Sequence, residues 1–153
     1  KPEDQWSVAT CASNNNGKDL ADAIRNGTAT AVSDGSFQSG IGTSACILWG
    51  SDISKCIIGV NAVPGQESAQ RAYRSELAGV AGSLAILASV YSLHQISSGN
   101  VTIGLDGDQA LKTVAGSWPL NAEQPDFDLL CDLWEKIKQL PITLKWQWIE
   151  GHQ

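Results

Sequence analysis

The sequence predicts an α/β protein with a five-stranded mixed sheet, three antiparallel strands and then two parallel ones, flanked by helices. Two observations carry this expectation. Runs of small and β-branched residues follow one another over 28–37, 41–49 and 54–63, with Gly50-Ser51-Asp52 as the turn between the last two, which reads as an antiparallel meander. Beyond residue 70, helical and strand-like segments alternate, and strands separated by helices are normally parallel neighbours. A chain of 153 residues is large enough for one domain with a proper core.

Each element has a local cause. Residues 1–27 read as a lead-in segment, irregular to residue 16 and then a short helix over 18–25 that stops at the C-cap pair Asn26-Gly27. The domain proper is expected over 28–153. Pro64-Gly65 ends the meander. The longest helical signal spans 70–93, where Leu77, Val80, Ala81, Leu84, Leu87, Ala88 and Tyr91 recur as one apolar stripe. Val101, Ile103 and Leu105 alternate as a strand that ends at Asp106, and a short helix is expected over 108–115. Pro119 and Pro125 punctuate a loop. A second amphipathic helix over 126–140 carries Phe127, Leu130, Cys131, Trp134 and Ile137 on one side. Pro141 ends it, and Ile142, Leu144, Trp146 and Trp148 alternate along a final strand.

Composition narrows the function classes. With 42% hydrophobic and 17% charged residues the chain is globular and not disordered. The uncharged stretch 77–93 is too short and too rich in Gly and Ser for a membrane span, which needs about 20 apolar residues, so a buried core helix is expected and no membrane partner. No apolar leader is visible, and the chain begins at Lys1 without any Met, so it reads as a piece of a longer intracellular polypeptide, cytoplasmic or nuclear. The cysteines Cys11, Cys46, Cys56 and Cys131 lack zinc spacing and read as reduced thiols, although Cys46 and Cys56 are positioned to face each other across a hairpin centred near Ser51. His94 reads as a helix-end residue.

The chemistry is concentrated in three acids, each in its own short motif: Asp34 in Ser33-Asp34-Gly35-Ser36, Glu76 in Arg74-Ser75-Glu76-Leu77 and Asp106 in Leu105-Asp106-Gly107-Asp108. A fourth motif runs Trp146-Gln147-Trp148-Ile149-Glu150-Gly151-His152. Asp34 and Asp106 lie near the ends of strands, where open α/β sheets bind ligands, and Glu76 flanks the apolar stripe of the long helix. Converging carboxylates repel one another without a cation, and Mg2+ prefers oxygen ligands. That combination points to phosphoryl-transfer chemistry. The net charge of −6 is unusual for a nucleic-acid binder, so a small basic patch or a partner domain must supply grip.

On these four motifs the chain resembles the ribonuclease H domains fused to reverse transcriptases in retroelements. The resemblance covers residues 28–153 and rests on Asp34-Gly35-Ser36, Arg74-Ser75-Glu76-Leu77, Leu105-Asp106-Gly107 and the string 146–152. The order Asp, Glu, Asp disfavours the related integrase fold, which uses Asp, Asp, Glu. The resemblance implies a metal-dependent endonuclease that hydrolyses the RNA strand of RNA/DNA hybrids. Two Mg2+ ions, with Mn2+ as a possible substitute, would be held by Asp34, Glu76 and Asp106, and His152 would assist proton transfer or product departure. Contacts to the ribose 2′-hydroxyls would come from the Gly35 main chain, Ser36 and Glu76, and a tethered reverse transcriptase would be the protein partner. Apart from the resemblance, Arg71 and Arg74 are the only arginines near the proposed site, and they read either as phosphate contacts or as a solvated helix start.

The sequence departs from the family at Ala72 and Tyr73, where polar residues usually touch the hybrid, and at Gly107 and Asp108 after the third acid. The family's further carboxylate, on a terminal helix after the Gly-His, would fall beyond Gln153. The chain as given is therefore expected to be a weak or inactive catalyst. Two alternatives stay open: a non-catalytic binding or scaffold module of the same shape, and a related nuclease acting on DNA.

Overall fold

The computed structural model describes residues 11–13, 17–65, 70–116 and 126–149. The elements run β1 (Cys11–Ser13), α1 (Lys18–Asn26), β2 (Ala29–Gln38), β3 (Ile41–Trp49), β4 (Ile57–Ala62), α2 (Ala72–Leu93), β5 (Asn100–Leu105), α3 (Asp108–Ala115), α4 (Phe127–Gln139) and β6 (Thr143–Trp148). They form one mixed sheet in the order β1-β4-β3-β2-β5-β6. Strands β2, β3 and β4 are antiparallel neighbours, and β5 and β6 add to β2 in parallel. The expected five-stranded mixed sheet is present.

Its far edge carries one strand more than expected. Residues 11–13, read from the sequence as irregular, pair antiparallel with β4, Cys11 opposite Gly59 and Ser13 opposite Ile57. So short an edge strand is held by main-chain hydrogen bonds and shows no side-chain alternation to read. The lead-in helix α1 also belongs to the core, since Leu20, Ala21, Ala23 and Ile24 are buried there. It ends as expected: the Thr28 N–H donates to the Ala23 carbonyl and the Gly27 N–H to that of Ile24, a Schellman pair.

Burial alternates along β2, β3 and β4, and the buried set (Ala29, Ala31, Ser33, Ser44, Cys46, Leu48, Ile57, Asn61) defines one face of the sheet. Helix α2 packs against β2 and β3, with α4 against its other side. Leu77, Leu84 and Leu87 are all 0% exposed. The single apolar stripe expected for this helix is an understatement, because every residue from Leu77 through Leu87 is buried. Between a sheet and a second helix, a helix rich in Ala, Gly and Ser is covered all round. It is long and apolar enough to cross a membrane, yet 67% of its most apolar window lies inside the protein, as suits a core helix.

Two further expectations are corrected. The buried side of α4 is Leu129, Leu130, Leu133 and Lys136, whereas Trp134 and Ile137 are only half-buried, so the stripe is rotated toward α2. Trp134 instead stacks under the Lys138 ammonium, 3.8 Å from its ring centre. Cys46 lies opposite Gly59 and not Cys56, because a 3-10 turn at Ile53–Lys55 draws extra residues into the connection and shifts the register. Both cysteines are thiols.

Candidate active site

The site is built where β2 and β5 part. Their last register pair is Ser33 with Leu105. Past it, β2 continues against β3, with Asp34 opposite Ala45, while β5 ends and the chain turns through Asp106 and Gly107 into α3. Asp34 and Asp106 are thus the next residues on two strands spaced about 4.8 Å apart. Parallel strands that separate at their carboxyl ends leave a cleft, and both acids stand at its mouth.

The third acid enters from α2. The first turn of this helix lies directly on Gly35, where a Cβ would overlap the Ser75 carbonyl and the Glu76 nitrogen. That close approach requires glycine. Glu76 then reaches the other lip of the cleft, since a side chain at Gly107 would overlap its carboxylate. Gly107 therefore has a steric role here: it leaves room for Glu76. Burial holds the Glu76 carboxyl above the usual carboxylate range, and the charges of Asp106 and then Asp34 push it the same way.

Asp106 is braced by the last strand. The Trp148 indole Nε1 donates to the Asp106 carbonyl at 3.2 Å, and the Ile149 N–H donates to that of Leu105 at 3.1 Å. Trp148 is itself 54% exposed. The sequence showed an alternating strand here, with no sign that its second Trp supports the third acid.

The remaining sequence-predicted residues divide. Gly35 is half-buried beneath α2, and Ser36 is exposed beyond Asp34. The Arg71 side chain keeps 45% exposure while pairing with Asp126 and approaching the Tyr73 ring at 5.8 Å. Arg74 is a correction. Its side chain is 2% exposed and donates from Nε to the Pro64 carbonyl at 2.9 Å, from Nη1 to Asp126 at 3.1 Å and Asp128 at 2.8 Å, and from Nη2 to Asp128 at 2.6 Å. A guanidinium so engaged and buried is not open to a phosphate. The hydrogen bond to Arg74 leads the causes that hold the Asp128 carboxyl below its ordinary range. Tyr73 is committed to α3, its hydroxyl 2.8 Å from Thr113 Oγ1. His152 lies outside the described residues. His94 is the C-cap of α2, its N–H donating to the Val90 carbonyl.

In donor chemistry the acids fit a hard divalent cation: they offer only oxygens and carry like charge, and Glu76 is held above its ordinary range by burial first and then by the charges of Asp106 and Asp34. Among the described residues, no three Asp, Glu, His or Cys side chains are gathered into a ligand cage.

No sequence-family profile matches the chain, and no curated protein does. Solved structures do. The N-terminal RNase H domain of Rv2228c from Mycobacterium tuberculosis, solved as a fusion with maltose-binding protein, superposes with a TM-score of 0.56 at 13% identity, over 80% of this chain and 81% of that one. RNase H1 from the halophilic archaeon Halobacterium salinarum gives 0.51 at 14% identity, over 82% and 86%. LC11-RNase H1, from a compost metagenome and solved with an RNA/DNA hybrid, gives 0.58 at 8% identity, over 80% and 85%. At such identities the likeness concerns architecture. The chain has the ribonuclease H-like fold.

Proposed function

We propose that this chain is a ribonuclease H-type hydrolase that cleaves the RNA strand of RNA/DNA hybrids. The observation that carries the reading is that Asp34 and Asp106 follow the last paired residues of β2 and β5, while Glu76, entering from α2, feels the charge of both. These three would hold divalent cations, Mg2+ or in its place Mn2+, which when bound activate water and stabilise the leaving oxygen. The chain's own residues orient the substrate. Ser36, exposed just beyond Asp34, offers a hydroxyl to a ribose 2′-OH, the group that distinguishes RNA from DNA. The exposed part of Arg71 offers positive charge to a flanking phosphate. His152 would take or give a proton as the product leaves. Water displaces the 3′ oxygen, so the products carry 5′-phosphate and 3′-hydroxyl ends.

With a net charge of −6 and Arg74 withdrawn into the interior, much of the grip on the hybrid would come from elsewhere. A tethered polymerase domain of a retroelement polyprotein supplies it in this reading. The test is a panel of end-labelled duplexes (RNA/DNA, RNA/RNA and DNA/DNA) incubated with the chain and Mg2+ or Mn2+. Cleavage confined to the RNA strand of the hybrid is expected; cleavage of DNA/DNA would transfer the chain to the DNA-nuclease reading.

One observation favours a second reading, a non-catalytic hybrid-binding module: the acids do not close into a ligand cage among the described residues. This reading predicts hybrid binding that is indifferent to Mg2+ and no cleavage in either cation.

A further inference from the structure

Helix α2 starts without the usual means of holding a helix start. Arg71, at its N-cap, makes no side-chain capping bond, and no acidic residue stands in the first turn. The first turn nevertheless delivers Glu76 to the cleft. Arg71 pairs with Asp126 and Tyr73 with Thr113, but the most fully engaged side chain of this turn is Arg74, two residues before Glu76. At about 100° per residue, Arg74 and Glu76 point about 200° apart around the helix. Glu76 faces Gly107, while Arg74 faces the opposite way, toward the Pro64 carbonyl and the Asp126 and Asp128 carboxylates at the start of α4.

We infer that Arg74 is a positioning residue, a clamp that fixes the rotation of the first turn of α2 and so aims Glu76 into the β2–β5 cleft. The inference rests on the hydrolase reading for its consequence, but its geometry stands apart from it. Four hydrogen bonds in different directions fix a planar guanidinium in place and orientation, which a single contact cannot do. The partners come from two separate parts of the chain, the β4–α2 connection and α4, so the turn is referenced to the body of the protein. Gly65 completes the seat. It holds φ at +119°, and a Cβ there would stand 2.8 Å from Arg74 Nη2 and 3.1 Å from Nε. The Tyr73–Thr113 bond adds a tether to α3, the helix that begins just after Asp106 and Gly107.

A purely structural arginine would affect folding and leave the aim of Glu76 alone. The test uses Arg74→Lys, Arg74→Met, Gly65→Ala and Asp128→Asn, with two readouts. The first is the amide chemical shifts of Asp106 and Gly107 in cation-free protein. The second is the Mn2+ concentration giving half-maximal binding, followed by water-proton relaxation. In folded Arg74→Met and Asp128→Asn the Gly107 amide is expected to move, while amides of Leu20 to Ile24 keep their positions. Mn2+ binding should weaken about 10-fold in Arg74→Met, as when a group orienting a ligand is lost, and by a smaller but measurable factor in Asp128→Asn, whose side chain is largely exposed. Arg74→Lys should fall between, because an ammonium keeps the charge without the fork. Wild-type Gly107 shifts together with unchanged Mn2+ half-saturation in folded variants would overturn the inference. Should Arg74→Met not fold, Asp128→Asn decides, since it removes the charge and one acceptor oxygen of a largely exposed partner and keeps the Arg74–Asp126 pair. Should the wild type neither bind Mn2+ nor cleave hybrid, the hydrolase reading fails, and the amide shifts still decide the role of Arg74.

Discussion

The Glu76 carboxylate occupies the space that a side chain at Gly107 would fill. The second acid of the site is therefore placed by the absence of an atom beside the third. Gly107→Ala is expected to push Glu76 away without disturbing the fold, since the clash is with the far end of a flexible side chain. A displacement of about 1 Å at reacting groups costs about 100-fold in rate. Hybrid cleavage by Gly107→Ala should fall by that order while its melting temperature stays near wild type. Wild-type activity in this variant would show that Glu76 need not stand against Gly107.

Glu76 ionises against burial and two neighbouring charges, and the sign of its effect on stability follows. Its folded pKa is raised, so the protonated form favours the folded state, and that contribution is lost as pH rises through the raised value. At neutral pH without divalent cations, Glu76→Gln should melt higher than wild type. The gain should vanish when both proteins are melted below the ordinary carboxylate range, and Mg2+ should narrow it by compensating the wild-type charge. A variant that melts lower at neutral pH in chelator would contradict the electrostatic picture of the site.

The two aspartates on Arg74 should behave differently when removed. Asp126 is 2% exposed, and Asp126→Ala leaves a buried guanidinium short of a partner, which costs about 3–5 kcal/mol. Asp128 is 65% exposed and screened by water, so Asp128→Ala should cost about 1 kcal/mol or less. Its hydrogen-bonded carboxyl has a lowered pKa, so that smaller contribution is present above the ordinary aspartate range and fades as pH falls through the folded value. Urea unfolding of both variants at two pH values checks the ranking; equal costs would mean that exposure does not govern this cluster.

Trp148 braces Asp106 through one hydrogen bond from a half-exposed ring. Trp148→Phe keeps an aromatic side chain, though a smaller one, and removes the donor, at an expected cost of about 1 kcal/mol in stability for the lost hydrogen bond. Cleavage should fall more than stability does, because the lost bond holds the backbone of a site residue. Denaturant midpoints and kcat measured on the same preparation separate the two effects, and full activity at reduced stability would limit Trp148 to a packing role.

How much of this was legible in the sequence depends on the range of the interactions involved. The meander, the long helix and the order of the acids come from local patterns, so β2 to β4, α2 and the neighbourhood of Asp34, Glu76 and Asp106 were readable. The three-residue strand β1 has no pattern to read, only main-chain pairing. Arg74 was misread because a charged residue at a helix start is ordinarily solvated. Its partners Asp126 and Asp128 lie 52 and 54 positions away, in what looked like an ordinary helix start. The all-round burial of α2 and the rotation of α4 share one cause, the packing of these helices on each other, which neither periodicity reveals alone.

The central claim is that Asp34, Glu76 and Asp106 act together as a cation-dependent site for hybrid hydrolysis. It is tested most directly by the initial rate of RNA-strand cleavage in a labelled RNA/DNA hybrid, measured across a Mg2+ titration for wild type and Asp106→Asn. The account predicts a rate that rises with Mg2+ in the wild type and is lost in folded Asp106→Asn at every concentration. Equal rates in the two proteins, or wild-type cleavage that survives removal of all divalent cations by chelator, would contradict it.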